Sequence, residues 1–187
     1  MLSAEEWRID PAHSAAQFAV KHMMVSTVRG HFGKMSGTVS FDAADPTAAK
    51  VVAEVDMASV DTRNAKRDDH LRSADFFSVE EFPTMKFEST KIEKAGAGLK
   101  MTGNLTLRGV TKEVVFDVEG PAPPVASRRG MKTGASATTT ISRNEFGMTW
   151  NRVIEAGGVT VGDEVQITID VELNSGGGGE RRQRPQQ

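Results

Sequence analysis

No cysteine occurs in the 187 residues, which removes disulfides, thiolate nucleophiles and cysteine-based zinc sites from consideration. Tyrosine is also absent, so an aromatic lining must come mainly from the nine phenylalanines. No run approaches the roughly eighteen consecutive apolar residues of a membrane-spanning helix. The stretch Met1-Leu2-Ser3-Ala4-Glu5-Glu6-Trp7 has no basic region followed by an apolar one, so no secretory signal is read and a cytoplasmic location is expected. Positive charge is not in surplus either. The 23 basic and 25 acidic residues leave a formal charge of -2, which disfavours nucleic acid as a partner. HExxH, GxSxG and glycine-rich phosphate-loop motifs are all missing.

What is present is alternation with a period of two. Met35, Gly37, Val39 and Phe41 alternate with Ser36, Thr38 and Ser40, and Val51, Ala53, Val55 and Met57 repeat the pattern. Leu99, Met101, Gly103, Leu105 and Leu107 oppose Lys100, Thr102, Asn104, Thr106 and Arg108. Val114, Phe116 and Val118 form a further set, and Val165, Ile167, Ile169, Val171 and Leu173 the clearest one. Such patterning sets one face of each strand on a core and the other in water. Ala95-Gly96-Ala97-Gly98, Arg108-Gly109 and Gly120-Pro121 supply turns between them. With Trp7–Asp10 and Ala15–Met23 added, about eight antiparallel strands are expected, closed as a barrel or packed as a sandwich.

One segment breaks the pattern. Residues 62–82 are too charged and too poor in β-branched side chains for a strand and predict a short helical insertion across one barrel end. Asp61 or Thr62 is the expected cap, Ser73 the cap of a second turn, and Ser78 with Glu81 has capping-box spacing. Residues 1–5 are expected to be flexible, 6–174 to form the barrel, and the Gly/Arg-rich 175–187 to be disordered.

A small barrel either fills its interior or leaves room for one ligand, and alternation by itself leaves both open. Small groups at Ala16, Gly37, Ala53, Gly103, Ala135 and Ala137 tilt the balance towards a cavity that suits an alkyl or polyprenyl chain. His13, His22 and His31 recur every nine residues, and His22 shares the register of Ala16, Phe18 and Val20. An inward imidazole there can bond a quinone or phosphate head group, although a structural histidine satisfied by backbone or carboxylate is the simpler reading. Arg67, Asp68, Asp69, His70, Arg72 and Asp75 read as helix-supporting charge pairs before acid–base machinery. Arg143 is read as an ion-pair partner, and Gly103 and Gly147 as bulges or bends.

Several blocks carry a family resemblance: Trp7-Arg8-Ile9-Asp10-Pro11-Ala12-His13-Ser14, Phe18-Ala19-Val20-Lys21-His22-Met23, Arg67-Asp68-Asp69-His70-Leu71-Arg72-Ser73-Ala74-Asp75-Phe76-Phe77, Leu105-Thr106-Leu107-Arg108-Gly109-Val110-Thr111-Lys112 and Ile141-Ser142-Arg143-Asn144-Glu145-Phe146-Gly147. In order across residues 6 to 174, they resemble the YceI-like lipid-binding family. The resemblance implies an all-β fold, an extended eight-stranded lipocalin-like antiparallel barrel with an elongated hydrophobic pore. It also implies binding, storage or carriage of a polyisoprenoid, polyprenyl quinone or similar amphiphile, without catalysis. Placed in that binding mode, the inward register assigns the lining to Phe18, Val20, His22, Val39, Phe41, Val55, Phe87, Met101, Leu105, Phe116 and Ile167. No metal, no cofactor beyond the lipid and no catalytic residue is expected, and a symmetric homodimer is the working expectation. The competing readings are an enzyme acting on a polyprenyl substrate through His22 or His70, and a ligand-free structural barrel.

Overall fold

A computed structural model describes residues 5–42, 44–154 and 158–176. Twelve strands are formed: β1 (Glu5–Ile9), β2 (Ala15–His22), β3 (Ser26–Phe32), β4 (Met35–Phe41), β5 (Lys50–Asp56), β6 (Val60–Asp61), β7 (Thr84–Ala95), β8 (Gly98–Leu107), β9 (Val110–Glu119), β10 (Val125–Ser127), β11 (Gly130–Ser142) and β12 (Val161–Asn174). Among the described residues one α-helix, α1 (Ala65–Arg72), and short 3-10 turns interrupt them.

Eight of the strands close a ring in the order β11, β9, β8, β7, β5, β4, β1, β12, with β12 returning to β11. That closing seam is long and regular, from Lys132 opposite Asn174 to Ser142 opposite Glu164. Its other flank is short, since β1 meets β12 only at Arg8–Asn174 and Ile9–Leu173. After the turn at residues 10–14 the chain re-enters as β2 and takes over the rest of the same edge of β12, from Asp170 to Val161. β3 and β6 pair outward from β2, so β2, β3 and β6 form a flap beyond the ring.

The eight-stranded barrel expected from the sequence is therefore present, with four further strands outside the ring. Ala15–Met23, counted among the eight, lies in the flap as β2, and the polar, threonine-rich β11 completes the ring. β6 and β10 span two and three residues, too short to display a period.

Alternation places the core as expected. Along β8, Met101, Leu105 and Leu107 are buried while Lys100 and Asn104 are exposed. Trp7 packs edge-on against Phe41 at 6.2 Å, and Phe87 against Phe116 at 5.2 Å. Burying each such side chain contributes on the order of 1.5–3 kcal/mol.

The insertion departs from expectation at its boundaries. Asn64 caps α1, its side chain accepting from the Arg67 amide at 2.9 Å. Asp61 instead accepts from the Arg63 amide at 2.7 Å, and Arg63 sits at φ 64, so the chain turns left-handed before the helix starts. Thr62 is tied to Asp68, through its amide at 2.9 Å and its hydroxyl at 2.6 Å. Ser73 closes α1 by donating its hydroxyl to the His70 carbonyl at 2.6 Å rather than opening a second helix. Ser78 has φ 49, which is incompatible with a helix N-cap, and residues 74–81 form turns. Gly147 ends the 3-10 turn Arg143–Phe146 at φ 79 and is a cap, not a strand bulge.

At the ends, Glu5 already pairs with Phe41, and Ser175 is buried with its amide on the Met131 carbonyl at 3.0 Å. The rest of the expected flexible termini, residues 1–4 and 177–187, lies outside the described residues.

Candidate functional site

The ring encloses a chamber of about 160 Å3. Val39 and Phe41 of β4, Val55 of β5, Phe87 of β7, Met101 and Leu105 of β8, Phe116 of β9 and Ile167 of β12 line it. Among the described residues Ser136 is the one polar side chain on the wall, and its hydroxyl is already engaged by the Asp170 carboxylate. A wall of this kind offers an acyl or prenyl chain contact area and offers a polar metabolite nothing. Away from the flap, Phe41, Pro46, Leu99 and Pro121 also border a cleft at the Gly96–Gly98 and Gly120–Pro124 turns.

A second chamber, about 230 Å3, lies between the flap, α1 with its following turns, and the N-terminal half of β12. Phe18, Val20 and His22 of β2 face it. The side chains of Met85, Ile167 and Ile169 line both chambers, so the two spaces abut there.

All eleven positions expected to line a pore thus sit on one wall or the other. His22 does so from an exposed position at the rim, opposite Val161, rather than from inside. Of the small residues expected to make room, Ala53, Ala135 and Ala137 border the first chamber and Ala16 the second. Gly37 and Gly103 do not make room. A Cβ at Gly37 would lie 2.3 Å from the Val52 carbonyl oxygen, and one at Gly103 would lie 2.4 Å from the Phe87 ring, so neighbours already fill both places.

The second chamber differs in carrying polar groups. Lys21, His22, Arg67, His70, Arg143 and Thr160 all border it. His70 holds the Asp75 carboxylate at 2.8 Å and sets its ring edge against Trp150 (4.7 Å) and Phe76 (5.0 Å). Arg152 lies over the other part of this group, 5.7 Å from the Trp150 ring. Arg67 donates through Nε and Nη2 to the hydroxyl and carbonyl of Thr62, both at 2.8 Å. Its Nη1 is uncommitted among the described residues.

Arg143 is not the ion-pair partner expected. It is 3% exposed and donates to four main-chain carbonyls: Gly162 at 2.7 Å, Met148 at 2.5 Å, Trp150 at 2.9 Å and Val161 at 3.1 Å. Burial pulls its pKa below the usual guanidinium value, partly offset by Asp163. Arg108 spans the Gly147 and Ala74 carbonyls in the same manner, and Arg72 those of Ala58 and Val60. Three guanidinium groups therefore satisfy main-chain carbonyls around this chamber, most of them outside the strands.

The three evenly spaced histidines do not converge. His31 is exposed on β3 opposite Asp61, and His13 lies in the turn after β1. His13 Nδ1 meets Asp10 at 3.1 Å and Glu172 at 3.8 Å, a grouping with ligand atoms close enough to hold a cation. Lys132 already supplies one, bonding Glu172 directly and lying 3.8 Å from Asp10. Hydrogen bonds from His13, Asn174 and the Ala12 amide hold Asp10 down to about 2. This network fastens the short β1–β12 contact.

Sequence reasoning missed the aromatic end of the second chamber. Leu71 sits at the end of α1, and Phe76, Phe77, Met148 and Trp150 lie outside helices and strands, where no period flags them. The signal available was local: two phenylalanines and a tryptophan stand in otherwise polar stretches.

The family model for the YceI-like domain matches residues 7–173. The chain belongs to the YceI-like family. Within it, the UPF0312 protein SA2479 of Staphylococcus aureus (strain N315) is 36% identical over 166 residues, covering 88% of this chain and 95% of the relative. Among solved structures, Burkholderia cenocepacia BcnA superposes with a TM-score of 0.75 at 25% identity, over 88% of this chain and 98% of BcnA. The Campylobacter jejuni YCEI protein gives 0.71 at 35% identity, over 83% and 89%. A polyisoprenoid binding domain from Saccharophagus degradans shares the YceI-like fold at a TM-score of 0.65 and 14% identity, over 92% and 99%. Among the described residues no helix is long and apolar enough to cross a membrane.

Proposed function

We propose that this YceI-like protein holds one long apolar chain of polyisoprenoid or polyprenyl-quinone type, extended through both chambers, and carries it unchanged. The observation that carries this reading is the pair of abutting chambers, one with an apolar wall and the other bordered also by Lys21, Arg67 and Arg143. The tail belongs in the ring, and the polar head belongs beside Arg67, Lys21 and His22. The name of the Saccharophagus degradans domain agrees with this ligand class, although at 14% identity that likeness carries the fold alone.

The energetics favour a long chain. Each buried methylene contributes ~0.8 kcal/mol, so ten contribute ~8 kcal/mol. That exceeds the lower estimates of ~4 kcal/mol for association while leaving a short chain weakly held.

Carriage without reaction is the reading favoured by the apolar wall along which the chain would lie in the ring. Among the described residues the ring wall offers only Ser136, held by Asp170. In the second chamber His70 is bonded to Asp75, and among the described residues no serine lines the wall there. Organic extraction of purified protein followed by mass spectrometry tests the reading. A stoichiometric apolar lipid is expected, and recovery of unmodified lipid after prolonged incubation speaks for carriage. An extract without lipid, from protein that also fails to take up a polyprenol, overturns it.

A further inference from the structure

The turn between β2 and β3 is built from residues poorly suited to a turn. Met23 and Met24 adopt φ 53 and 61, the left-handed region that favours glycine and asparagine. Both side chains point outward, together with Val25: Met24 is 64% and Val25 85% exposed. Val153, at 84%, and Val159 add to the same surface, because the Met23 amide donates to the Thr160 carbonyl at 2.8 Å and Val153 bridges Val159. The Met24 sulfur rests against Gly158. An apolar tip exposed at the cost of backbone strain calls for a partner.

Position and charge say which. The residues immediately before the tip, Lys21 and His22, border the second chamber, as do Thr160 and Val161 beside it. The tip is therefore the rim of the mouth. Lys21, His22 and Arg152 are exposed around it, and among the described residues 21–28, 151–154 and 158–161 there is no carboxylate. Glu155, the acid nearest in sequence, lies outside the described residues.

We propose that this tip docks the mouth of the second chamber onto a bilayer surface bearing anionic lipids. The methionines and valines enter the headgroup boundary, the cations meet lipid phosphates, and the chamber opens towards the membrane from which an apolar chain is drawn or to which it is returned. The purpose assigned to docking rests on the lipid-carrying reading above; the docking itself is measured separately.

The test uses the full chain and the variant M23N/M24G/V25S. Asn and Gly suit the left-handed positions, so the fold should be as stable or more so, while the tip loses its apolar surface. Co-sedimentation with phosphatidylglycerol–phosphatidylcholine vesicles should show the wild type bound and the variant at least about tenfold weaker, and binding should fall with salt. Arg152→Gln should weaken binding about fivefold, as expected for one cation at an anionic surface. Uptake of a fluorescent polyprenol delivered from detergent should be equal in the wild type and the triple variant.

Equal vesicle binding by both proteins, or none by the wild type, overturns the proposal. So does a wild-type dimer that the triple variant breaks while neither binds vesicles, since the tip then meets a second copy. Failure of the wild type to take up polyprenol from detergent sinks the carrier reading, and with it the role given to docking, whatever the vesicles show.

Discussion

The two chambers share Met85, Ile167 and Ile169 yet are made in different ways. The first is enclosed mostly by regular sheet, so the backbone of its wall is satisfied largely by strand pairing and its side chains are free to be apolar. The second is enclosed partly by turns, and its backbone is satisfied by arginines: Arg143 alone serves four carbonyls. An irregular wall needs cations to hold it, and cations bring polarity to one end of an otherwise greasy space. The polarity of the site thus follows from how its walls are hydrogen-bonded.

This contrast can be broken most severely from inside the ring. Val39→Asp puts a carboxylate on the apolar wall; about 3–5 kcal/mol of stability should be lost by denaturant titration, together with the bound lipid. A folded variant with unchanged lipid content would show that the ring chamber does not hold the ligand. Arg143→Met should cost about 2–3 kcal/mol by stranding carbonyls, with amide exchange rising in residues 143–162 and little changed in β7–β9. Uniform loosening would contradict the separate construction of the two ends.

A gentler probe fills the ring. Ala137→Phe should change stability by under about 1 kcal/mol while shortening the longest prenyl chain retained, read by extracting protein challenged with a ladder of chain lengths. The same chain-length limit in variant and wild type would confine the ligand to the second chamber.

The smallest effect concerns pH. The folded Asp10 carboxyl is held near 2, below its ordinary value of 3.8, so the unfolded chain binds its proton first. Its stabilising contribution is complete above about pH 4 and fades as pH falls towards 2. Asp10→Asn should flatten that part of the stability–pH profile, with disturbance centred on the β1–β12 contact.

Legibility in the sequence followed regularity. The inward faces of β4, β8, β9 and β12 were readable because a period of two survives over seven to fourteen residues. Six of the expected lining positions lie on these four strands: Val39, Phe41, Met101, Leu105, Phe116 and Ile167. Phe76, Phe77, Met148 and Trp150 were not readable, since turns bring residues together without any spacing rule. Gly37 and Gly103 misled for a related reason: a missing side chain signals room or close approach alike, and only the neighbours Val52 and Phe87 decide which.

The sequence by itself determined an all-β chain with one charged interruption, without thiol chemistry and without an HExxH, GxSxG or glycine-rich phosphate-loop motif, because side-chain alternation and composition act locally. Only the tertiary structure decided that β12 would serve two partners along one edge, closing a ring at its C-terminal end and opening a flap at its N-terminal end. That choice creates the second chamber, and it depends on hydrogen-bond register between segments some 150 residues apart, about which neither segment's own pattern says anything.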